Sequence, residues 1–369
     1  MTVSETIIAQ GIANDVAYVG RFASDLTAPE HASFMGVISL CMAPYLSLFV
    51  HESYHKLRAG DPALASLLSN DVGAIVARSR HSLKLFEDTH RGIAGQLTYF
   101  RDELLPAHSR RFLGNTWLPL ARPLEKDLGL FSYAGRLIAT THGTNFHMGI
   151  EPYALLAQTG EETRAIYEAY GRYFGHLGGR LDTEGKTFVS YLDPRRFNRR
   201  PEDVRASKYY GRVFDGAGNP DLNALLTVFW GMMNFVGSVI TAGMDADALE
   251  YTVFKIRFLT LYQVLDSLQV LCDEQRQSVT SRSVTCIEQI IGMPDAQIIM
   301  VPAAKPFRNT LMHYNLDSRV DQSRVDVSQP LFGLVPIYFP TYDVETFSRL
   351  VDRCIAATAE AMDAWAEHK

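Results

Sequence analysis

The sequence predicts a mostly α-helical protein that forms a helical bundle, on three observations. Apolar residues recur at alternating spacings of four and three along several long segments, which is the period of a helix face. Only two short segments, residues 136–141 and 186–192, carry the apolar pattern of strands. With 369 residues, of which 47% are hydrophobic and 21% charged, the chain is long enough to bury a full core. We therefore expect an all-α fold with at most a small β-hairpin, made by these two segments, in the N-terminal half.

Bulk composition limits the classes of protein to which the chain can belong. The formal net charge of -6 argues against a protein coated with nucleic acid, although it leaves room for a local basic face. The four cysteines are widely spaced without a CxxC pair, which favours reduced core thiols over disulfides. The first residues carry no basic segment that leads into an apolar run. We therefore expect a cytoplasmic protein without a secretory signal.

Residues 1–192 are predicted to form an N-terminal helical domain whose role stays open. Within it, Thr159 and Glu162 form a capping-box pattern that should start a helix. That helix should reach about Leu177, where the following pair of glycines ends it.

A stretch rich in arginine, proline and glycine follows at residues 193–221 and is predicted to be a linker. Basic side chains track the phosphates of nucleic acids, and aromatic side chains stack on unpaired bases, so this segment is also a candidate RNA contact. The alternative is a solvated linker without a ligand. The candidate RNA-binding residues are Arg195, Arg196, Arg199, Arg200, Lys208 and Tyr209.

Residues 222–369 are predicted to form a second helical domain, which begins with an uncharged stretch. Residues 222–244 are long enough to cross a bilayer. They contain several polar residues and glycines, however, and no basic cluster flanks them. A buried core helix is therefore the favoured interpretation, and no membrane partner is expected.

Three more helices are predicted in this second domain. The longest, over residues 247–272, has an apolar seam that should pack against a partner helix, either within the chain or in a second copy. A helix over residues 278–291 should end at Gly292 and Pro294. The C-terminal helix is amphipathic, with Asp343 as its N-cap. The seam consists of Phe254, Phe258, Leu261, Leu265, Leu268 and Cys272.

The most informative motif lies before the C-terminal helix and places an arginine, an asparagine and a histidine within six residues. Pro306 suits the first turn of a helix, because its missing N–H needs no partner there, so a helix is predicted over residues 307–315. Asn309 and His313 are four residues apart and share a helix face. Arg308 lies round the helix and can converge with them only through its long side chain.

This arrangement of arginine, asparagine, three further residues, histidine and tyrosine, flanked by long amphipathic helices, resembles the signature of HEPN domains. These are the all-helical ribonuclease modules of toxin–antitoxin, abortive-infection and related defence systems. Arg308, Asn309 and His313 match the motif position for position, and the resemblance covers residues 222–369. It implies metal-independent endoribonuclease activity without a cofactor, a homodimer that brings two motifs into one cleft, and an antitoxin or defence-system partner.

The chemistry of RNA cleavage agrees with this resemblance. The attacking 2′-hydroxyl needs a proton acceptor, the leaving 5′-oxygen needs a proton donor, and the phosphorane oxygens need positive charge. His313 can serve as base or acid, and Arg308 can hold two phosphate oxygens at once. Asn309 would orient the histidine or the phosphate, and no metal ion is required.

Two metal-binding alternatives arise from one N-terminal segment. His51, Glu52 and His55 have the HExxH spacing of zinc peptidases, in which two imidazoles bind the metal and the glutamate activates water. Glu52 and His55 also combine with Glu87 and His90 into two ExxH units, of the kind that hold di-iron sites in helical bundles. A third alternative is a dimeric helical scaffold or sensor without catalytic activity.

Overall fold

The structure, a computed structural model, describes residues 2–84, 92–157, 160–178, 185–198, 202–243, 249–277 and 279–366. Helices dominate it, which confirms the mostly α-helical class that the sequence predicts. The α-helices are α1 (Val3–Leu26), α2 (Met35–Leu57), α3 (Ala63–Leu67), α4 (Asn70–His81), α5 (Gly92–Tyr99), α6 (Leu105–Phe112), α7 (Thr141–Met148), α8 (Pro152–Ala157), α9 (Glu161–His176), α10 (Ala206–Tyr210), α11 (Pro220–Asn234), α12 (Tyr251–Gln275), α13 (Ser281–Ile291), α14 (Pro294–Ile299), α15 (Ala304–His313), α16 (Val335–Tyr338) and α17 (Val344–Ala366).

The described strands form one small antiparallel sheet in the order β2-β1-β3, with β1 at Leu128–Tyr133, β2 at Arg136–Thr140 and β3 at Glu202–Val204. A two-residue turn joins β1 to β2, and both of its residues, Ala134 and Gly135, have positive φ. Such turns match the right-handed twist of a hairpin. The small hairpin that the sequence predicts is therefore present, and residues 136–141 supply one of its strands.

The predicted partner strand at residues 186–192 is wrong, because this segment contains the 3-10 helix Phe188–Tyr191. The carboxylate of Asp25 accepts hydrogen bonds from the backbone N–H groups of Thr187, at 2.9 Å, and Ser190, at 3.2 Å. These bonds use amide donors that a sheet would need and tie the segment to the end of α1. The apolar pattern correctly predicted that side chains of this segment are buried. Its conformation is determined by the hydrogen bonds to Asp25.

The predicted linker at residues 193–221 packs against the sheet where the structure describes it. Strand β3 pairs with β1, and Tyr210 of α10 is buried. The N-terminal helices in turn pack on α12, and one continuous hydrophobic core runs through both halves. A boundary between two domains stays a prediction of the sequence.

The helices expected in the second half are present, with Asp343 as a cap. Its carboxylate accepts a hydrogen bond from the backbone N–H of Thr346 at 2.7 Å, as an N-cap does. The seam of α12 is used inside the chain, since the ring of Phe258 lies 5.0 Å from that of Phe307 and 6.0 Å from that of Phe347. This seam is therefore core packing, so a homodimer would need another face.

The helix predicted after residue 160 is α9, and its first turn shows one difference from the capping-box pattern. Gly160 occupies the N-cap position with φ of 85°, and a glycine has no side chain that could cap the helix. Thr159 lies outside the residues that the structure describes, so the predicted cap is not tested. The helix ends at His176, close to the predicted end.

Among the residues that the structure describes, two helices are long and apolar enough to cross a membrane by length and composition alone, Met35–Leu57 and Pro220–Val239. The second contains most of the uncharged stretch noted in the sequence. The protein interior buries 67% and 83% of their apolar windows, respectively. Burial on this scale is typical of the core helices of a large helical fold.

A pair of buried histidines lies under the sheet. The rings of His108 and His142 are 4.2 Å apart, and His142 Nδ1 is 3.0 Å from the hydroxyl of Tyr210. Both ring nitrogens of His108 are buried without a hydrogen-bond partner in the part of the chain that the structure describes. Burial lowers the pKa of His108 to about 4 and the pKa of His142 well below its ordinary value. Both rings are therefore neutral at pH 7.

Acid is expected to destabilise the protein before its carboxylates titrate. The folded-state pKa of His108 is depressed from 6.5 to about 4, so the unfolded chain binds more protons between these values. The contribution of this neutral imidazole to the free energy of unfolding is therefore fully present above pH 6.5. It is lost as the pH falls towards 4, and the total loss is about 3 kcal/mol. Urea titrations at pH 7.0, 6.0 and 5.0 should show a declining midpoint.

The matched variants are His108→Phe and His176→Phe, because His176 is partly exposed and its pair with Asp61 lies at the surface. The first should flatten the decline in midpoint between pH 6.5 and 5, and the second should not. An unchanged slope in His108→Phe would contradict a neutral histidine at this buried position.

A candidate acid–base site at the end of α15

The motif at residues 308–313 lies at the end of α15 rather than at its start. The helix spans Ala304–His313, and Tyr314 follows with φ of 55°, in the left-handed region that ends helices. The predicted helix over residues 307–315 was therefore wrong in its bounds. The sequence showed Pro306 but not the contacts of Tyr314 that stop the helix.

Tyr314 is buried and fixes the backbone next to the histidine of the motif. Its hydroxyl donates a hydrogen bond to Asp15 Oδ2 at 2.6 Å, and Lys255 Nζ also lies 2.6 Å from that oxygen. The ammonium of Lys255 stands 4.1 Å from the centre of the Tyr314 ring. A Cβ on Gly11 would come within 2.8 Å of the same ring, so only glycine lets α1 approach so closely. The tyrosine is thus a core residue.

His313 meets a carboxylate from the other half of the chain. Its Nδ1 lies 2.8 Å from Oε2 of Glu52, which belongs to α2. A carboxylate can only accept, so Nδ1 carries the proton and donates it, and Nε2 is left with the lone pair. The His313 side chain is 25% exposed, whereas that of Glu52 is 8% exposed. The site therefore presents an oriented imidazole at the surface with its carboxylate behind it.

Arg80 of α4 completes this arrangement. Its guanidinium bonds to Glu52 and lies 3.4 Å from Nδ1 of His313. Because that nitrogen donates to Glu52, the arginine contributes charge rather than a hydrogen bond to the imidazole. Burial alone would raise the pKa of Glu52, but the hydrogen bond with His313 and the charge of Arg80 lower it to about 2. Glu52 is therefore ionised at neutral pH.

Arg308 lies below the surface, beside the same group. It is buried and donates to Asn309 Oδ1 at 2.8 Å and to Gln263 Oε1 at 3.2 Å. Burial, and then the charge of Arg80, lower the pKa of Arg308 to about 10, so it remains a cation at pH 7. Arg308 thus contacts Asn309 and lies near Arg80, which is next to His313; Asn309 and His313 are partly exposed, whereas Arg308 is buried. Direct contact between Arg308 and a phosphate stays a prediction.

The HExxH segment has a different geometry from a zinc peptidase. The rings of His51 and His55 are 4.5 Å apart, but Glu52 already binds Arg80 and His313. No group of three His, Cys, Asp or Glu side chains that could hold a metal ion occurs among the described residues. Burial and the charge of Arg80 lower the pKa of His51 to about 4. Glu52 is therefore engaged in the polar cluster and is not poised to activate a metal-bound water.

The di-iron alternative depends on residues of which the structure says nothing. Glu87 and His90 fall in the gap at residues 85–91, outside the described ranges. The first ExxH unit, Glu52 and His55, is the one whose glutamate points to His313. Glu52 of the HExxH segment thus contacts His313 of the arginine–histidine motif, so the two alternative motifs of the sequence meet in the structure.

Arg195 and Arg196, the described candidates next to Phe197, lie at the opposite end of α2 from this site, where the ring of Phe34 is 4.8 Å from that of Phe197. Cys41 Sγ of α2 is 4.0 Å from the backbone oxygen of Ile138 in β2, which belongs to the same sheet as β3. Glu52 follows Cys41 by eleven residues, which is about 16 Å along the helix at 1.5 Å per residue. Any RNA that touches both places must therefore extend along α2.

The candidate RNA-binding residues that the structure describes differ in how far their side chains are exposed. Arg195, Arg196 and Lys208 are exposed, and the guanidinium of Arg196 lies 5.1 Å from the centre of the Tyr133 ring. Tyr209 is half-buried, and burial raises its pKa. Arg199 and Arg200 lie outside the described residues. The exposed cations remain candidates for phosphate contacts, while Tyr209 has less free ring surface than the sequence implied.

Sequence reasoning did not find Arg80 or Gln263. No spacing rule relates positions 52, 80, 263 and 313, so only the tertiary structure joins them. One signal was present, since Glu52 stands in an otherwise apolar helix that buries most of its length. A buried glutamate needs a cationic partner, and this could have marked the position as part of a polar cluster.

Comparisons with protein-family models, with curated proteins and with solved structures found no match to this chain. The functional argument therefore depends on the chemistry of the site.

Proposed function

We propose that the protein is a metal-independent endoribonuclease of the HEPN type, which acts as a cytoplasmic homodimer in phage defence or toxin–antitoxin growth arrest. The observation that supports this is the 2.8 Å contact between His313 Nδ1 and Glu52 Oε2. A carboxylate that holds one imidazole nitrogen stabilises the imidazolium form and leaves the other nitrogen to accept and donate a proton. RNA cleavage through the 2′-hydroxyl needs such a group at a phosphodiester.

The proposed reaction begins at the 2′-hydroxyl of the substrate. Its proton passes to Nε2 of His313 while its oxygen forms a bond to phosphorus. The bond between phosphorus and the 5′-oxygen then breaks, and that oxygen takes a proton from the imidazolium of a second copy that faces the same cleft. The products are a 2′,3′-cyclic phosphate and a 5′-hydroxyl end.

Positive charge behind the histidine favours the phosphorane. Arg80 and Arg308 lie close enough for one to lower the pKa of the other, and Lys56 contacts Asn315 just beyond the motif. The negative charge of Glu52 partly offsets these positive charges. In a poorly solvated site the field of the two guanidinium groups stabilises negative charge on the phosphate oxygens. In this proposal Arg308 also positions Asn309 and Gln263.

The first test is cleavage of a labelled single-stranded RNA by the purified protein in the presence of EDTA. We expect cleavage to persist under chelation and to leave 2′,3′-cyclic phosphate ends. Loss of activity in EDTA with recovery on adding zinc or iron would favour the metalloenzyme alternative. Absence of cleavage under every condition, with a folded dimer, would favour the scaffold alternative.

Replacing Glu52 by glutamine should lower kcat for RNA cleavage by about 10²-fold or more. The neutral amide no longer stabilises the imidazolium, and comparable changes in catalytic triads cost as much as ~10⁴-fold. KM should change little, because Glu52 lies behind the imidazole and does not face the substrate. The measurement is initial cleavage rate against RNA concentration, with circular dichroism to confirm folding.

The matched control is Glu168→Gln, since Glu168 is an exposed helix residue that forms a surface ion pair with Arg164. It should leave kcat and KM unchanged. Equal kcat in Glu52→Gln and Glu168→Gln would remove the carboxylate from the mechanism.

A further inference from the structure

The segment between α6 and β1 exposes large apolar side chains to solvent. Trp117 is 89% exposed, Leu120 is 87% exposed and Leu124 is 76% exposed, while Phe112 and Leu118 are exposed to a smaller extent. Large apolar side chains that are exposed this fully within one short segment often mark an interaction site. We call residues 110–126 the apolar loop.

Local bonds hold this loop in its conformation. The carboxylate of Glu125 accepts hydrogen bonds from the backbone N–H groups of Gly114, at 2.6 Å, and Thr116, at 2.7 Å. Gly114 has φ of 77°, and residues Pro119–Leu124 form a 3-10 helix. The apolar side chains are therefore held outwards by ordered backbone, and their exposure is a property of the fold.

Positive charges outnumber negative ones in the loop. Arg110, Arg111, Arg122 and Lys126 are all exposed. The one acidic residue among residues 110–126, Glu125, is occupied by the two backbone amides. The loop thus presents four cations around its apolar side chains, although the whole chain carries a net charge of -6.

We propose that the apolar loop binds the surface of an anionic lipid bilayer. Tryptophan and leucine side chains partition into the boundary between headgroups and acyl chains, and flanking arginine and lysine side chains bind anionic headgroups. An RNA strand is a poorer match, because leucine side chains cannot stack on bases. The contact is peripheral, so it requires no membrane-spanning helix. It is also independent of the ribonuclease proposed above.

The experiment uses the full chain with two kinds of vesicle, pure phosphatidylcholine and a mixture of phosphatidylcholine with phosphatidylglycerol. Of the three tryptophans, Trp230 and Trp365 are buried, so Trp117 reports the environment of the loop. We expect co-sedimentation with the anionic vesicles and a blue shift of tryptophan emission, and binding at least tenfold weaker to the neutral vesicles.

Variants separate the apolar and ionic contributions. Trp117→Ala combined with Leu120→Ser, and Arg111→Glu combined with Arg122→Glu, should each weaken binding to anionic vesicles on the order of tenfold or more. Trp117→Phe should abolish the blue shift but keep most of the binding. Arg282→Glu reverses an exposed charge elsewhere and should bind as the unmodified protein does.

Three outcomes would overturn the proposal. The first is no binding to anionic vesicles by the folded protein. The second is equal loss of binding in Arg282→Glu, which would show a diffuse charge effect. The third is a blue shift with RNA, or on self-association at high protein concentration, in the absence of vesicles, which would assign the loop to another partner.

Discussion

Replacing His313 by alanine is expected to lower the rate of RNA cleavage by about 10³-fold or more. General acid–base catalysis by a positioned side chain contributes typically 10²–10⁴-fold, and in this proposal both proton transfers of a dimer use this residue. The fold should survive, because the ring is 25% exposed and Glu52 keeps its bond with Arg80. The measurement is the cleavage rate of a labelled RNA, with circular dichroism and gel filtration to confirm folding.

A histidine elsewhere in the chain provides the matched control. Nε2 of His176 lies 2.7 Å from Oδ2 of Asp61, and both side chains are about one third exposed, so this is also a histidine–carboxylate pair. His176→Ala should retain full activity. If cells that express the protein stop growing, only the change at His313 should relieve the arrest. Equal activity or toxicity of the two variants would end the ribonuclease proposal.

Replacing Lys255 by methionine is expected to destabilise the fold by about 3–5 kcal/mol. Lys255 and Asp15 are both buried, with Nζ 2.6 Å from Oδ2, and removing one partner leaves an uncompensated buried charge. A change of this size is a large part of the 5–15 kcal/mol that stabilises a typical domain. The free energy of unfolding from urea titration measures it.

A second effect should accompany this loss of stability. Tyr314 donates to the same Asp15 oxygen and follows His313 in the chain, so Lys255→Met should also reduce the proposed cleavage under conditions where it is still folded. The double variant Asp15→Leu with Lys255→Met should recover part of the stability, because no charge remains buried. The surface pair of Arg164 and Glu168 is the control, and Arg164→Met should cause no measurable change. If Arg164→Met lowers the free energy of unfolding as much as Lys255→Met does, the buried pair contributes no more to stability than a surface pair.

Two of the long helices, α12 and α17, were predictable because apolar residues recur along them with the period of a helix. Helix α12 was predicted from a repeat of apolar residues, and α17 from its apolar face and from Asp343, whose capping bond is local. The hairpin was predictable only in part. The partner of β2 depended on Asp25, which lies far from residues 186–192 in the sequence and holds them in another conformation.

The arginine–histidine motif was visible as a set of residue types, but its geometry was not predictable. Asn309 and His313 were placed correctly on one short helix, whereas the burial of Arg308 depends on Gln263 and on the packing of α12. The glutamate that orients the histidine was visible in the sequence and was assigned to a metal motif. Its true contact spans 261 positions of the chain.

The sequence alone determined the helical class, the position of the core and the residue types available for acid–base chemistry, because hydrophobic periodicity and capping act over a few residues. The tertiary structure decided which groups meet. It brought Glu52, Arg80 and His313 together from three helices and closed α15 at Tyr314 through a buried aspartate. The physical reason is that a buried charge must find an opposite charge or a hydrogen-bond partner wherever packing brings one, and no local spacing records that choice.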